Sequence, residues 1–215
     1  MPTITLNLEE AYAIGHQNKL WALRGHSINT YASLEHALCY LMAEFSGLPG
    51  DIANLIFFSV VNTQTRLRIL DELQTKKYGA KLSNFWASLE KQLVKLTGTR
   101  NDIVHWTIVG SYHGNSQQKL VLRPPDYGTP HGKSKELTSN DLEQFIRKCY
   151  FVERHCRWLE IWLRDNDFRE KKEGKVWEEI FSRPIIYPPN KTHPLHSICF
   201  AEDFQLPPFH LQGTL

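Results

Sequence analysis

The chain has 215 residues, of which 41% are hydrophobic and 12% aromatic, and its formal net charge at pH 7 is +2. This length supports one sizeable domain, and the apolar content is high enough to bury a core, which excludes a disordered chain. The small net charge excludes the broad basic surface of a protein that coats nucleic acid, so any contact with nucleic acid must be local.

The sequence gives no sign of a membrane segment or of a secreted protein. No apolar run approaches the roughly 18 residues of a spanning helix, and the opening residues MPTITLNLEE lack the basic and apolar regions of a signal peptide. We therefore expect a cytoplasmic protein that makes no membrane contact. The cysteines form no CxxC pair, which favours reduced core cysteines over a disulfide framework or a zinc site. They are Cys39, Cys149, Cys156 and Cys199.

Apolar residues recur at helical spacing through the first part of the chain. The spacing predicts four helices, Leu8–Leu23, Ser27–Phe45, Ile52 to about Gln74, and one that is capped by Ser83 or Asn84. Gly50 or Asp51 is expected to cap the third helix, and Gly98 is expected to interrupt the fourth.

From about residue 106, the spacing of the apolar residues changes from the helical pattern. Two short β-branched runs at 106–109 and 119–122 predict a hairpin, and the segment 123–135 is rich in proline and glycine, which indicates a loop. A long helix is expected from the cap at 138–141 to about Asp165. We therefore predict an all-α antiparallel bundle at 1–182, with a hairpin insertion at about 106–123, followed by an extended proline-rich arm at 183–215.

Glu–Arg pairs four residues apart balance the charge of this long helix. They are Glu143/Arg147, Glu153/Arg157 and Glu160/Arg164. Such spacing favours local ion pairs on a solvated face over an RNA-binding surface.

The candidate catalytic residues lie in one short stretch, Arg100-Asn101-Asp102-Ile103-Val104-His105. Asn101 and His105 are four residues apart and share a helix face, so the amide can orient the imidazole. Arg100 and His105 lie about 140° apart on an ideal helix. They converge on one ligand only if the helix bends at Gly98, or if two copies of the stretch meet across a dimer axis.

A guanidinium matches phosphate oxygens, and an imidazole exchanges a proton near neutral pH. Together they suit cleavage of RNA by its own 2′-hydroxyl, with His105 moving the proton, as base or as acid, and Arg100 stabilising the pentacoordinate phosphate. The competing interpretation is structural, because isolated Arg/His spacings are common. In that interpretation Arg100 pairs with Asp102 or a helix C-terminus, and His105 is a satisfied core histidine.

Arg-Asn-x-x-x-His, set between amphipathic helices, resembles the Arg-x(4–6)-His signature of the HEPN superfamily. The resemblance covers roughly residues 27–165. It implies a helical bundle, a metal-independent endoribonuclease activity with no cofactor, and catalytic roles for Arg100, His105 and the polar neighbour Asn101. It also implies a homodimer with the motif at its interface, and membership of a toxin–antitoxin, anti-phage or stress-response system with an antitoxin protein as a further partner.

The resemblance leaves a second function open. Some members of the superfamily bind RNA, nucleotides or proteins without turnover. One subgroup, which pairs with a nucleotidyltransferase antitoxin, has a tyrosine two positions after the histidine, where this chain has Thr107. The resemblance therefore does not extend to that pairing.

Several residues outside the motif are weaker candidates. Arg66 and Arg68 flank Leu67, and one of them can face a phosphate. We expect Asp102 and Arg66 to contribute to substrate binding. Glu35 is expected to face solvent, and His113 and His131 lie in predicted loops that can approach the motif. His193 and His196 have metal-ligand chemistry, but Pro194 between them favours a surface tail over a zinc site.

Overall fold

A computed structural model describes residues 8–111, 119–125 and 136–200. The described chain is mostly helical, with one small sheet. Its helices are α1 Leu8–Ser46, α2 Gly50–Ser59, α3 Thr63–Tyr78, α4 Ser83–His105, α5 Ser139–Arg164, α6 Asn166–Glu170, α7 Lys172–Phe181 and α8 His196–Phe200. A short 3₁₀ turn, Gly79–Leu82, joins α3 to α4. The predicted all-α class is confirmed, and none of the described helices is long and apolar enough to cross a membrane.

The N-terminal prediction of two helices is wrong, because α1 continues without a break through Gly15 and Gly25. A glycine inside a helix costs only about 1 kcal/mol relative to alanine. The packing of α1 along α5, its most extensive partner, offsets such a cost.

The predicted helix from Ile52 to Gln74 is instead two helices. The chain is extended at Val60, and the side chain of Asn62 accepts a hydrogen bond from the backbone N–H of Thr65, which starts α3. The predicted caps differ as well. Pro49 and Leu82 occupy the positions before α2 and α4, and neither helix has a side-chain cap.

The order of contacts along the helices gives their directions. Lys19 pairs with Glu143, and Arg157 lies over the ring of Tyr40, so α1 and α5 run parallel. Tyr31 contacts Thr97, and further along α1 the ring of Phe45 contacts Trp86, so α4 runs antiparallel to α1. The predicted antiparallel arrangement is therefore only partly correct.

The hairpin and the start of the long helix follow the predictions. Strands β1 Thr107–Ser111 and β2 Lys119–Arg123 pair in antiparallel register. Thr138 and Asp141 form a capping box at the start of α5. On α5, Arg157 and Arg164 pair with the predicted glutamates. The exception is Glu143, which pairs with Lys19 of α1, while Arg147 donates to the backbone carbonyl of Cys199.

Part of the proline-rich segment packs onto the helical body. Ile185 and Leu195 are buried, and the N–H of Ile185 donates to the hydroxyl of Ser88 on α4. Residues 201–215 of the predicted arm lie outside the described residues. All four cysteines are free and buried, as predicted.

Candidate functional site

The motif occupies the last two turns of α4. The helix is continuous from Ser83 to His105, so Gly98 does not interrupt it, and the chain becomes extended at Trp106. Arg24 of α1 donates from Nη2 to the carbonyl oxygen of Val104 at 2.7 Å. A cation at the C-terminus of a helix both satisfies a carbonyl and matches the helix dipole. Arg24 therefore fixes the end of α4 that carries the motif.

Arg100 points into the seam between α4 and α1. Its guanidinium carbon lies 5.7 Å from the centre of the Tyr31 ring, and its Nη1 donates to Oδ1 of Asn101 at 3.2 Å. Its Nε is buried and has no hydrogen-bond partner, and Arg100 makes no ion pair with any described residue. A buried N–H without an acceptor is uncommon in folded proteins and indicates a place for an unseen acceptor.

Tyr31 of α1 is a neighbour of the motif that the sequence analysis did not single out. It is 4% exposed, and its hydroxyl shares a hydrogen bond of 2.8 Å with the hydroxyl of Thr97. Burial raises the pKa of the phenol, while the bond to Thr97 and the charge of Arg100 act in the opposite direction. The phenol therefore stays neutral and serves as a surface for the guanidinium. In the sequence, the only indication of this contact is that Tyr31 lies among the apolar positions of its helix.

Glu35 and Arg66 form an ion pair beside this seam. Nη1 of Arg66 lies 2.7 Å from Oε1 of Glu35, and the two side chains are only 12% and 19% exposed. Arg66 also lies over the rings of Phe57 and Phe58. The expectation that Glu35 faces solvent is therefore wrong. Nη1 of Arg66 donates to Glu35 and its Nε donates to the carbonyl oxygen of Val60, so among the described contacts only Nη2 remains for a phosphate.

His105 and Asn101 share the outer face of α4, as their spacing predicted. This face consists of Val94, Gly98, Asn101 and His105, and all four are exposed. His105 is therefore not a core histidine, and it has no hydrogen bond to any described residue. The structural interpretation of the motif is thus wrong for His105. The partners that this interpretation gave to Arg100, Asp102 or a helix C-terminus, are not found among the described residues, where its side chain bonds to the Asn101 amide.

The structure does not bring Arg100 and His105 together within one chain. On a continuous helix the two side chains point about 140° apart, one toward α1 and one outward. The Asn101 amide holds Arg100, where the sequence suggested that it would hold His105. Asp102 lies between them and is half-buried. The candidates His113 and His131 lie outside the described residues.

His193 and His196 of the proline-rich segment were weighed above as metal ligands. The described residues contain no group of three or more side chains that could hold a metal ion. His193 is half-buried against His155, Phe151 and Trp177, so the expected surface position is wrong for it.

Comparisons of the chain with protein-family models, with curated proteins and with solved structures found no match. The resemblance to the HEPN superfamily therefore rests on the motif and on the helices around it.

Proposed function

We propose that the chain is a HEPN-like, metal-independent endoribonuclease that works as a homodimer in the cytoplasm. The observation that carries this proposal is the state of Arg100. Its guanidinium is held against Tyr31, has no carboxylate partner among the described residues and has a buried Nε–H with no acceptor. A phosphate oxygen is the acceptor that such a fork of N–H groups fits best.

His105 and Arg100 divide the reaction between them. His105 takes the proton of the RNA 2′-hydroxyl, whose oxygen bonds to the adjacent phosphorus as the bond to the 5′-oxygen breaks. The leaving 5′-oxygen takes a proton from water and the protonated His105 returns its proton to the solvent, so the products end in a 2′,3′-cyclic phosphate and a 5′-hydroxyl. Arg100 stabilises the charge of the pentacoordinate phosphate. Asn101 positions Arg100 through its Oδ1, and Asp102 and Arg66 border the bound RNA.

A second copy of the chain completes the site in this proposal. The outward direction of His105 and the inward direction of Arg100 are incompatible with one ligand on one helix. Two apolar side chains of α1 next to Arg24, Trp21 and Ile28, are 50% and 37% exposed. Exposed apolar surface beside a site is typical of an interface. The His105 of one protomer would thus face the Arg100 of its partner.

The test is RNA cleavage in the presence of EDTA. We expect the wild type to release products with 2′,3′-cyclic phosphate ends, and Arg100→Ala and His105→Ala to lose this activity by about 10²-fold or more. The matched controls are Arg68→Ala and His36→Ala, which replace exposed residues away from α4. Equal activity in the motif variants and the wild type would rule out the enzyme.

Mixing the two inactive variants tests the shared site. A dimer of one Arg100→Ala chain and one His105→Ala chain keeps one complete site if the two residues act across the interface. We expect the mixture to recover about a quarter of wild-type activity, since half of the dimers are mixed and each has one of two sites. A mixture that stays inactive, although subunits exchange, would contradict a site shared between chains.

The separation of Arg100 from His105 in one chain favours a second function, a non-catalytic HEPN-like module that binds RNA, a nucleotide or a protein. In that case the wild type binds RNA without cleaving it, and Arg100→Ala weakens binding while His105→Ala has little effect.

The biological setting we propose for the enzyme is a toxin–antitoxin, anti-phage or stress-response system. Growth arrest by the intact gene, but not by its His105→Ala version, tests that setting.

A further inference from the structure

A pocket of about 510 Å³ lies where the segment after α7 folds back against α5 and α7. Its walls are mainly aliphatic side chains and prolines, among them Val176, Ile180, Ile185 and Pro188. Two histidines, His155 and His193, also line it. A pocket of this size with an apolar wall and a few polar atoms is typical of small-molecule sites.

His155 presents a hydrogen-bond acceptor. It is 1% exposed, and its Nδ1 lies 2.8 Å from the carbonyl oxygen of Phe151. A carbonyl can only accept, so Nδ1 carries the hydrogen and Nε2 has a free lone pair in the neutral ring. Burial lowers the pKa of His155 to about 4, so the ring is neutral at pH 7. No described residue donates a hydrogen bond to Nε2.

His193 presents a donor. The backbone N–H of Leu195 donates to its Nδ1 at 3.0 Å, which places the ring hydrogen of the neutral form on Nε2. Burial lowers the pKa of this ring also. The two imidazoles lie 5.1 Å apart between centres. The pocket therefore combines an acceptor and a donor on neighbouring rings.

We propose that this pocket binds a flat, uncharged, mostly apolar molecule whose edge carries an N–H donor beside a carbonyl acceptor, as in a lactam. The ligand N–H donates to Nε2 of His155, and its carbonyl accepts from Nε2–H of His193. A charged ligand fits less well, because both rings are neutral and Arg183 at the rim is paired with Glu179 at 2.6 Å. A metal fits less well because Nδ1 of His193 is already an acceptor.

This site is separate from the motif. His155 packs against Phe85 near the start of α4, with ring centres 6.1 Å apart. Arg100 lies fifteen residues further along the same helix, or about 22 Å at 1.5 Å per residue. The two proposals therefore concern different parts of the fold, and a failure of one leaves the other standing.

The test compares two bicyclic probes of nearly identical shape, quinolin-2-one and coumarin, by isothermal titration calorimetry with the full chain. Coumarin has a ring oxygen where quinolin-2-one has the N–H. We expect quinolin-2-one to bind about tenfold more tightly, because coumarin leaves Nε2 of His155 unpaired. Absence of saturable binding of quinolin-2-one, or equal affinity for the two probes, would overturn the proposal. Since this comparison uses the wild-type protein, it does not depend on the folding of a variant.

Variants then assign the two histidines. His155→Phe keeps an aromatic ring and should remove the preference for quinolin-2-one, while His193→Phe should weaken both probes by a similar factor. His36→Phe makes the same change at an exposed histidine of α1 and should leave both affinities unchanged. Circular dichroism confirms that each variant is folded. A preference that survives in folded His155→Phe would also overturn the assignment.

Discussion

The guanidinium of Arg100 lies over the ring of Tyr31, with 5.7 Å from its carbon to the ring centre. This contact joins α4 to α1 at the motif, and a cation over a tyrosine face contributes about 0.5–1 kcal/mol when partly exposed. A double-mutant cycle of Arg100→Ala with Tyr31→Leu should therefore show a coupling of that size in urea unfolding. Additive effects of the two substitutions would contradict the contact.

Tyr31→Phe separates the ring from its hydroxyl. The ring remains under Arg100, and only the hydrogen bond to Thr97 is lost. We expect a loss of about 1 kcal/mol in the free energy of unfolding. The coupling between residue 31 and Arg100 should persist in this variant, which serves as the control for the cycle.

The Glu35–Arg66 pair should be sensitive to the loss of one partner. Both side chains are mostly buried, so Glu35→Ala leaves Arg66 without a carboxylate, in contact with the carbonyl of Val60 and two phenylalanine rings. We expect Glu35→Ala to lower the free energy of unfolding by about 2–3 kcal/mol, measured with urea. The double variant Glu35→Leu/Arg66→Met removes both charges, so its free energy of unfolding should fall much less. A double variant as unstable as Glu35→Ala would contradict this account.

The features that sequence predicted well are those determined by neighbouring residues. The cap formed by Thr138 and Asp141 needs only residues three apart, and the hairpin needs only two β-branched runs and a polar connection. The helical face shared by Asn101 and His105 follows from their spacing alone. Each of these signals acts within one or two turns of chain.

The features that sequence missed depend on distant partners. Glu35 looks like a surface residue until Arg66, 31 positions away, is brought against it. The predicted gap between Leu23 and Ser27 is helical in the structure, where α1 packs along α5. The direction of Arg100 is set by Tyr31 of another helix. Helical periodicity describes one helix at a time, so it cannot supply these partners.

Gly174 lies where α7 passes the backbone of α6. A Cβ at this position would lie 2.1 Å from the carbonyl oxygen of Phe168 and 2.7 Å from Cα of Arg169. Since backbone atoms cannot move aside easily, Gly174→Ala should lower the free energy of unfolding by about 3 kcal/mol, measured by thermal or urea unfolding. Gly25→Ala is the matched control, because its Cβ would meet no atom within 4 Å. It should stabilise the protein by about 0.5–1 kcal/mol.

His155 should make the fold sensitive to acid. Its pKa is lowered to about 4 by burial, while the unfolded chain has the ordinary value of about 6.5. Between these values the unfolded state binds the extra proton, so stability falls as the pH decreases from about 6.5 to 4. His155→Phe should reduce this fall by about 2–3 kcal/mol between pH 7 and 4.5, measured by urea unfolding at each pH. The pKa of His193 is lowered too, so some acid sensitivity should remain.

The outer face of α4 provides a way to separate dimer formation from folding. Gly98 lies on this face, and a Cβ there would meet no atom within 4 Å, so Gly98→Arg should leave the monomer folded. If the face contacts a second copy, the arginine should prevent association, and sedimentation should report a monomer. Leu48→Arg, a charged substitution at an exposed apolar residue between α1 and α2, should remain dimeric. RNA cleavage should then be lost in Gly98→Arg although Arg100 and His105 are intact, because each protomer would lack the partner's half of the site. A monomeric Gly98→Arg variant with full activity would contradict the shared site and require Arg100 and His105 to act within one chain.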